Sequence, residues 1–320
     1  REAAAPVEPV APPREPDMVE VEPPAESPDV IFGELQRFLG LARQAVRTGD
    51  ALPWAILEAL VDRAIASLRH SSDLFWVASN PAAPAGVDYL AFHQARVAVL
   101  SLRIGMNLGY ERARLRALGV AGALIDVGLW QLPDTVLRRL DALTSDEQAL
   151  YRSHPRLSAD LIRRWGPPSP RIAEMVLQHH EREQGQGFPQ GLAGAQVDAD
   201  AKILGLVDTY TGLTVPSSAK PRLRPHEAIR DIVKTRHEAF PPALIKALLA
   251  EISVFPPGTL VRLNTEEIGR VTGVNRDHPL RPRVEVLLDA KGQRLPQPKL
   301  LDLSEAPFLY ITAPVAETGR

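Results

Sequence analysis

The sequence predicts a mainly α-helical protein, a bundle of helices followed by a small β-rich appendage. From about residue 30 to residue 255, apolar side chains recur every three or four positions, which is the period of an amphipathic helix. After the Pro-Pro-Gly segment at 256–258, the pattern changes to short Val- and Leu-rich runs separated by polar turns, as strands require. Residues 1–28 are rich in Pro, Ala and Glu and have too few large apolar side chains to fold alone.

These changes in pattern divide the chain into four predicted parts. They are a disordered linker at 1–28, N-terminal helices at 29–87, a central helical domain at 88–255 and a β-rich extension at 256–320. The linker is interpreted either as a tether to a preceding domain or as an inert tail. Because the chain begins at Arg1 and not at Met, we expect that a targeting segment or an upstream domain is missing.

Local signals place several helix ends. Gly109 is a suitable C-cap, Thr144 with Glu147 forms a capping-box pattern, and Ser169-Pro170 is a typical N-cap and first-turn pair. The predicted helices are 31–42, 56–68, 89–108, 111–126, a helix from 144 that Pro155 restarts or kinks, 169–181, 198–213, 225–237 and 242–252. The predicted strands are 259–263, 268–274, 283–288 and 308–312.

Composition excludes several classes of function. A net charge of −2 over 320 residues gives no electrostatic basis for binding a nucleic-acid polymer or an anionic membrane. The absence of cysteine excludes disulfides and thiolate chemistry and is compatible with the bacterial cytoplasm, where we expect the protein. The best apolar run, residues 118–132, is shorter than the roughly 18 residues of a membrane span and contains Asp126.

The most informative segment is residues 179–192, which read HHEREQGQGFPQGL. Neighbouring side chains on a helix point about 100° apart, so His179 and His180 can share a pocket only where a helix ends. The glycine loop that follows supplies that end, and it lets the backbone approach a ligand closely. Neutral imidazoles beside carboxylates are typical of a metal site.

Four other candidate ligands are spread along the chain, three of them in apolar segments, where an ionisable group is costly to bury without a partner. On its own, each has an ordinary structural explanation, such as a satisfied core histidine or a solvated helix end. These candidates are His93 in YLAFHQARV, Asp126 in LIDVGL, His154 in SHP and Asp208 in AKILGLVDTYTGLT.

Taken together and in this order, these segments resemble the HD-GYP family of metal-dependent phosphodiesterases. The glycine loop resembles the family pattern HHExxxGxGYPxGL, with Phe188 in place of its Tyr. The resemblance covers roughly residues 74–252, and it extends to the β-rich tail. It implies an HD-domain-like helical bundle at 88–255 and hydrolysis of cyclic di-GMP.

The resemblance also implies roles for individual residues. Asp126, His154, His179 and His180 would hold one metal ion, and His93, Asp126 and Asp208 would hold a second, with Asp126 and His180 central to catalysis. The expected substrate contacts are Gly185, Gly187, Phe188, Pro189, Gly191, Leu192, Lys220 and Arg222. Fe or Mn is the expected metal, as one or two ions, with Zn as an alternative.

Two departures from the family pattern bear on activity. Ile125 replaces the histidine of the HD motif, and Leu129 replaces the lysine that follows it. Isoleucine has no lone pair, so the second metal set is short of one ligand. The departures favour a degenerate site with reduced phosphodiesterase activity or a sensing role.

Two alternatives stay open. Retention of the other six ligands is compatible with an active phosphodiesterase. Loss of the family's histidine and lysine at positions 125 and 129 is compatible with a catalytically inactive helical scaffold for protein interactions. Cyclic di-GMP is the expected ligand. A signalling protein and a second copy of the chain are candidate partners, whereas no nucleic-acid polymer and no membrane are expected for this segment.

Overall fold

The computed structural model describes residues 26–80, 86, 88–137, 142–214, 223–252, 255, 258–275, 278 and 280–315. Helices fill the first four-fifths of this part of the chain. They are α1 Pro28–Thr48, α2 Trp54–His70, α3 Asp73–Ser79, α4 Tyr89–Asn107, α5 Arg112–Ala123, α6 Asp134–Leu137, α7 Ser145–Arg152, α8 His154–Arg164, α9 Pro170–Gln178, α10 Ala199–Thr214, α11 Pro225–Thr235 and α12 Pro242–Glu251. Most of the predicted linker, residues 1–25, lies outside the described residues.

Helix α4 is the centre of the bundle. Each of its residues from Leu90 to Gly105 is buried, so the helix has no solvent-facing stripe. It packs against α1, α3, α5, α10 and α12. Asp88 begins the helix by accepting the backbone N–H groups of Leu90 and Ala91.

The predicted helix 111–126 is shorter in the structure, which is a correction to its C-terminal end. Helix α5 stops at Ala123, a turn covers residues 124–126, and a 3-10 helix follows at Val127–Gln131. Gly128 in that 3-10 helix touches α8, since a Cβ there would lie 2.5 Å from the backbone nitrogen of Ser158. Asp126 therefore lies in a turn that is pressed against α8.

The helix predicted at 169–181 also ends earlier, because α9 stops at Gln178. Its N-terminus has Ser169 as the N-cap and Pro170 in the first turn, as predicted. Thr144 and Glu147 form the predicted capping box of α7. His179 and His180 therefore lie in the turn that leaves α9.

The C-terminal segment forms one antiparallel sheet of five strands in the order β4-β3-β2-β1-β5. The strands are β1 Leu260–Leu263, β2 Ile268–Gly273, β3 Arg283–Leu288, β4 Arg294–Asp302 and β5 Ile311–Pro314. Strand β4 was not predicted, and it lies at an edge of the sheet, where its two prolines are tolerated. The mainly α fold with a small β appendage is confirmed.

No helix in the described ranges combines the length and the apolarity that a bilayer crossing requires.

Candidate metal centre and nucleotide loop

Six predicted ligands from five parts of the fold meet inside the bundle. His93 lies on α4 and Asp208 on α10, Asp126 lies in the turn after α5, and His154 begins α8. The other two follow α9. The ligating atoms form two groups in which all lie within 4.8 Å of one another, namely His154 with His179 and His180, and His93 with Asp126 and Asp208.

Asp126 lies between the two groups. Its Oδ1 is 3.1 Å from Nε2 of His154 and 3.8 Å from Nε2 of His179, and its Oδ2 is 3.7 Å from Nε2 of His93. Both side-chain oxygens are therefore directed at imidazole nitrogens of different groups. This is the arrangement that a carboxylate bridging two ions requires.

Backbone contacts of two histidines direct their Nε2 atoms at the centre. Nδ1 of His154 is 2.6 Å from the carbonyl of Tyr151, and Nδ1 of His179 is 2.6 Å from the carbonyl of Val176. Because a carbonyl only accepts, both Nδ1 atoms carry a proton, and Nε2 is the ring nitrogen that can bind a metal ion. Such backbone contacts orient metal-ligating histidines.

Those two Nε2 atoms are 3.3 Å apart, and Oδ1 of Asp126 has no hydrogen-bond donor among the described residues. Two imidazole nitrogens and one carboxylate oxygen thus face one another in a buried space. All three could bind one cation, so the residues fit a divalent metal ion.

The electrostatics keep the ligands in their metal-binding forms. Burial, with a contribution from neighbouring His154, lowers the pKa of His179 from 6.5 to about 4. Burial and neighbouring His179 lower the pKa of His180 well below 6.5. Burial raises the pKa of Asp126, but the adjacent imidazoles, first that of His154, outweigh it and lower this pKa to about 2. At neutral pH the imidazoles of His179 and His180 are neutral and the carboxyl of Asp126 is ionised.

The second group has a shorter contact. Nε2 of His93 is 2.9 Å from Oδ1 of Asp208, while Nδ1 of His93 has no hydrogen-bond partner among the described residues. Asp208 also approaches the first group, with Oδ2 4.0 Å from Nδ1 of His180. Helix α10 is thus held beside the turn after α9.

That close approach depends on Gly205, one turn before Asp208 on α10. A Cβ at Gly205 would lie 2.1 Å from the carbonyl oxygen of His179, so a side chain there would separate the two elements. Position 205 therefore requires glycine, because α10 and the turn after α9 must lie close together for their ligands to meet.

The glycine loop is fixed by Glu181, which is 2% exposed. Its two carboxylate oxygens accept the backbone N–H groups of Gln190 at 2.7 Å and of Leu192 at 2.9 Å. Two hydrogen bonds to one carboxylate are strong contacts, because the acceptor is charged. Glu181 thus ties the far end of the loop to the histidine pair.

The loop turns back over the imidazoles. A Cβ at Gly187 would lie 2.4 Å from the carbonyl oxygen of His180, so only glycine fits. Gly185 and Gly191 have φ angles of 78° and 70°, in the left-handed region. Phe188 stacks on His180 with ring centroids 4.5 Å apart, and Pro189 follows through a cis peptide bond.

The two replaced positions belong to the hydrophobic core. Ile125 is 0% exposed and Leu129 is 2% exposed. The neighbouring Asp126 is thus flanked by apolar side chains where the family pattern has an imidazole and an ammonium group. Lys220 and Arg222, two predicted substrate contacts, lie outside the described residues.

Two residues at the site were not predicted. Tyr151 lies against the imidazoles of His154 and His180, with ring centroids 4.8 and 6.1 Å apart, and burial together with Asp208 raises its pKa well above 10. Its spacing of three residues before His154, which puts helical side chains on one face, is the signal in the sequence.

The second is Arg182. Its Nη1 donates to the carbonyls of His179 at 2.9 Å and Glu181 at 2.8 Å, and its Nη2 is 3.5 Å from Nδ1 of His180. It thereby satisfies carbonyls that the end of α9 leaves without helical partners. Its place directly after the His-His-Glu run was the available signal.

The chain is similar to known proteins over most of its length. The family model described as "HD domain" matches residues 84–244, and that described as "KOW domain associated with HD domain" matches residues 260–319. A cyclic di-GMP phosphodiesterase of Pseudomonas aeruginosa is 30% identical over 262 residues, which are 81% of this chain and 62% of that protein. A cyclic di-GMP phosphodiesterase of Borreliella burgdorferi is 22% identical over 201 residues, 63% of this chain and 53% of that protein.

Among solved structures, an HDG"Y"P protein from Bdellovibrio bacteriovorus has a TM-score of 0.58 at 18% identity, covering 72% of this chain and 73% of that chain. This likeness shows the fold. The chain belongs to the HD domain family, whose members are metal-dependent, and is of the HD-GYP type. It spans 62% and 53% of the lengths of the two curated relatives.

Proposed function

We propose that this chain binds cyclic di-GMP at the metal centre and hydrolyses it slowly, so that its main role is in sensing or regulating the nucleotide. The observation that carries this proposal is the convergence of acceptor atoms from His154, His179 and Asp126, beside a buried isoleucine at position 125. One ligand set is nearly whole, and the other lacks an imidazole. We therefore propose one firmly held ion, Fe or Mn by the His and carboxylate ligand type, and a weak second one.

Each group of residues has a defined part in this proposal. His154 and His179 offer lone pairs that their backbone contacts keep directed at the centre. Asp126 supplies negative charge between the two groups, and His180 adds a neutral imidazole below the ring of Phe188. When bound, divalent ions would polarise a phosphate oxygen and lower the pKa of a water molecule, which are the requirements of phosphodiester hydrolysis.

The glycine loop would hold the nucleotide. Glu181 fixes the backbone of Gln190 and Leu192, so the loop has its shape before a ligand arrives. A preformed loop loses less conformational entropy on binding.

A receptor without turnover is the second candidate. The observation in its favour is that Ile125 and Leu129 are fully or nearly fully buried. At both positions, an apolar side chain packs in the core where the family pattern has a side chain that would act on metal or phosphate. The six other ligands favour full phosphodiesterase activity. They lie on α4 and α10, in the turns after α5 and α9, and at the start of α8.

The test is a turnover assay on anaerobically purified protein with cyclic di-GMP and added Fe(II) or Mn(II), followed by chromatography of the nucleotides. We expect slow product formation that His180→Ala abolishes. His237→Ala is the matched control, since its side chain is 60% exposed and lies outside both ligand groups.

Unchanged substrate would reject hydrolysis. Equilibrium binding of cyclic di-GMP to the same protein then separates a receptor, which binds, from a scaffold, which does not. Fast turnover, comparable with that of a phosphodiesterase having the complete motif, would contradict the reduced activity that we assign to Ile125.

A further inference from the structure

A buried arginine on α4 lies outside both ligand groups and carries an unpaired charge. The side chain of Arg96 is 0% exposed, and no carboxylate among the described residues pairs with it. Burial lowers its pKa from 12.5 to about 10, so the guanidinium is still charged at neutral pH. Burying a charge without an opposite charge is costly, and an apolar side chain of similar size would fill the same space without that cost. The reason for an arginine here must therefore lie in its contacts.

The guanidinium of Arg96 joins α4 to two other helices. Its Nε donates to the carbonyl of Ala78 in α3 at 2.8 Å. Its Nη1 donates to the carbonyl of Thr211 at the long distance of 3.5 Å, and its Nη2 donates to Oγ1 of Thr214 at 3.1 Å. Both threonines belong to the last turn of α10, whose carbonyls have no partner within the helix and carry partial negative charge. The end of α10 thus takes the place of a carboxylate, and the planar fork of the guanidinium binds it at two points.

This contact lies one helical turn from the second ligand group. Arg96 follows His93 by three residues on α4, and Thr211 follows Asp208 by three residues on α10, so each pair lies on one face of its helix. The two helices are therefore joined at successive turns, first by Nε2 of His93 and Oδ1 of Asp208 at 2.9 Å and then by the guanidinium. Thr211 also connects the two turns, since its Oγ1 is 3.0 Å from the carbonyl oxygen of Asp208.

The contact between His93 and Asp208 has little other support. Nδ1 of His93 has no hydrogen-bond partner among the described residues, and the next contact of the Asp208 carboxylate is Nδ1 of His180 at 4.0 Å. In the first group, by contrast, backbone carbonyls orient His154 and His179. Metal–ligand distances tolerate deviations of only about 0.2 Å, so a shift of α10 along α4 by about 1 Å would separate the two ligands from a shared ion.

We propose that Arg96 is a positioning residue of the metal centre, which fixes the last turn of α10 against α4 so that Asp208 faces His93 at ligating distance. It touches neither an ion nor the nucleotide and acts through these two side chains. Its bond to Ala78 extends the same tie to α3, which precedes the matched HD domain at 84–244. The inference rests on the proposed function in one respect, namely that the second group holds the weak second ion.

The test compares Arg96→Met with Arg103→Met. Arg103 is a second buried arginine on α4, but its guanidinium binds Glu251 of α12 at 2.6 Å and the carbonyl of Leu68 in α2 at 3.2 Å. Both changes remove a buried guanidinium, so both should lower the midpoint of thermal unfolding. Only Arg96→Met should alter the second ligand group. Thr214→Val removes the acceptor of Nη2 and should show the same selective loss, and it takes the place of Arg96→Met if that variant does not fold.

Two measurements report on the second group. Titration with Mn(II), followed by EPR, gives the affinities of the two ions. We expect Arg96→Met to weaken the second ion about 10- to 100-fold, as loss of a residue that orients a ligand does, and to leave the first unchanged. In the metal-free chain, the imidazole nitrogen resonances of His93, assigned with His93→Gln, report on the hydrogen bond to Asp208 and should shift in the same variant. Arg103→Met should leave both measurements unchanged.

An unchanged affinity for the second ion in Arg96→Met would overturn the inference alone. So would equal effects of Arg96→Met and Arg103→Met on both ions, because Arg96 would then be an ordinary core residue. If the unchanged chain binds a single ion, the second ion of the proposed function is rejected, and the resonances of His93 in the metal-free chain decide the inference. Shifted resonances then support the positioning role, and unshifted ones reject it as well.

Discussion

The proposed loss of activity depends on Ile125, the residue that directly precedes Asp126. We predict that Ile125→His with Leu129→Lys raises phosphodiesterase activity and the number of metal ions per chain, because an imidazole then adds a lone pair beside Asp126. Both native side chains are buried, so unpaired polar replacements would cost about 1–3 kcal/mol each. Metal analysis and the turnover assay measure the gain.

Leu129→Lys alone is the control for added positive charge, since it leaves the ligand count unchanged. A double variant that folds, binds metal and shows no gain in turnover would show that these two positions do not limit the chemistry. Thermal unfolding of each variant checks that the core has accepted the new side chains.

The sequence indicates the six candidate ligands through the family resemblance, and for His93, Asp126 and Asp208 also because an ionisable group in an apolar segment is costly to bury. It does not indicate their environment. The Nε2 atoms of His154 and His179 face one another because their Nδ1 atoms contact the carbonyls of Tyr151 and Val176, and these contacts have no signature in the residue types. Sequence reasoning also puts Asp126 on a helix, whereas the turn after α5 lets both of its oxygens face imidazoles.

At the scale of elements, the contact between α10 and the turn after α9 sets the distance between the two ligand groups. We predict that Gly205→Ala destabilises the protein by about 2 kcal/mol or more and lowers metal content, because the new Cβ would collide with the carbonyl of His179. Denaturant unfolding and metal analysis of the purified variant measure both effects.

Gly212→Ala is the matched control on the same helix. A Cβ at Gly212 meets nothing within 4 Å, so alanine should raise stability by up to about 1 kcal/mol through its helix propensity. Equal effects of the two substitutions would contradict a role for close packing at Gly205.

The glycine loop is a second element whose order depends on one side chain. We predict that Glu181→Ala speeds hydrogen exchange of the amides of Gln190 and Leu192 and weakens nucleotide binding, because both amides lose their acceptor. Exchange measured by mass spectrometry over residues 185–192 reports the change.

Glu183→Ala is the control for that experiment, since it removes a nearby carboxylate whose ion pair with Lys202 is 2.8 Å long. A partly exposed pair of this kind contributes little stability, so the loop amides should exchange as in the unchanged chain. Unaltered exchange in Glu181→Ala would show that the loop is held by other contacts.

For the molecule as a whole, the fold class follows from the hydrophobic period, which identifies the helical bundle and most strands. The missed elements are short or atypical. Helices α3 and α6 have seven and four residues, too few for a period to emerge, and β4 contains Pro296 and Pro298. The ends of α5 and α9 were predicted too late because apolar residues continue into the turns that carry the ligands.

The centre also links whole-molecule stability to metal and to pH. Metal that binds only the folded chain stabilises it by about 2.7 kcal/mol at a hundredfold excess over Kd. We therefore predict that Fe(II) or Mn(II) raises the midpoint of thermal unfolding at pH 7 and that a chelator reverses this rise. As the pH falls, protons compete with metal for the imidazoles, and the rise should disappear.

The metal-free chain should itself lose stability on acidification. Above pH 6.5, His179 is neutral in both the folded and the unfolded states and contributes nothing. Between pH 6.5 and about 4 the unfolded chain takes up the proton first, because burial lowers the folded pKa, so up to about 3 kcal/mol is lost across this window. Asp126, with a folded pKa of about 2, adds its own loss only below about pH 4. Denaturant unfolding of the chelator-treated protein from pH 7.5 to 4.5 measures the first loss. A flat profile would mean that His179 accepts a proton without cost in the fold, and that the cluster is less tightly buried than its geometry requires.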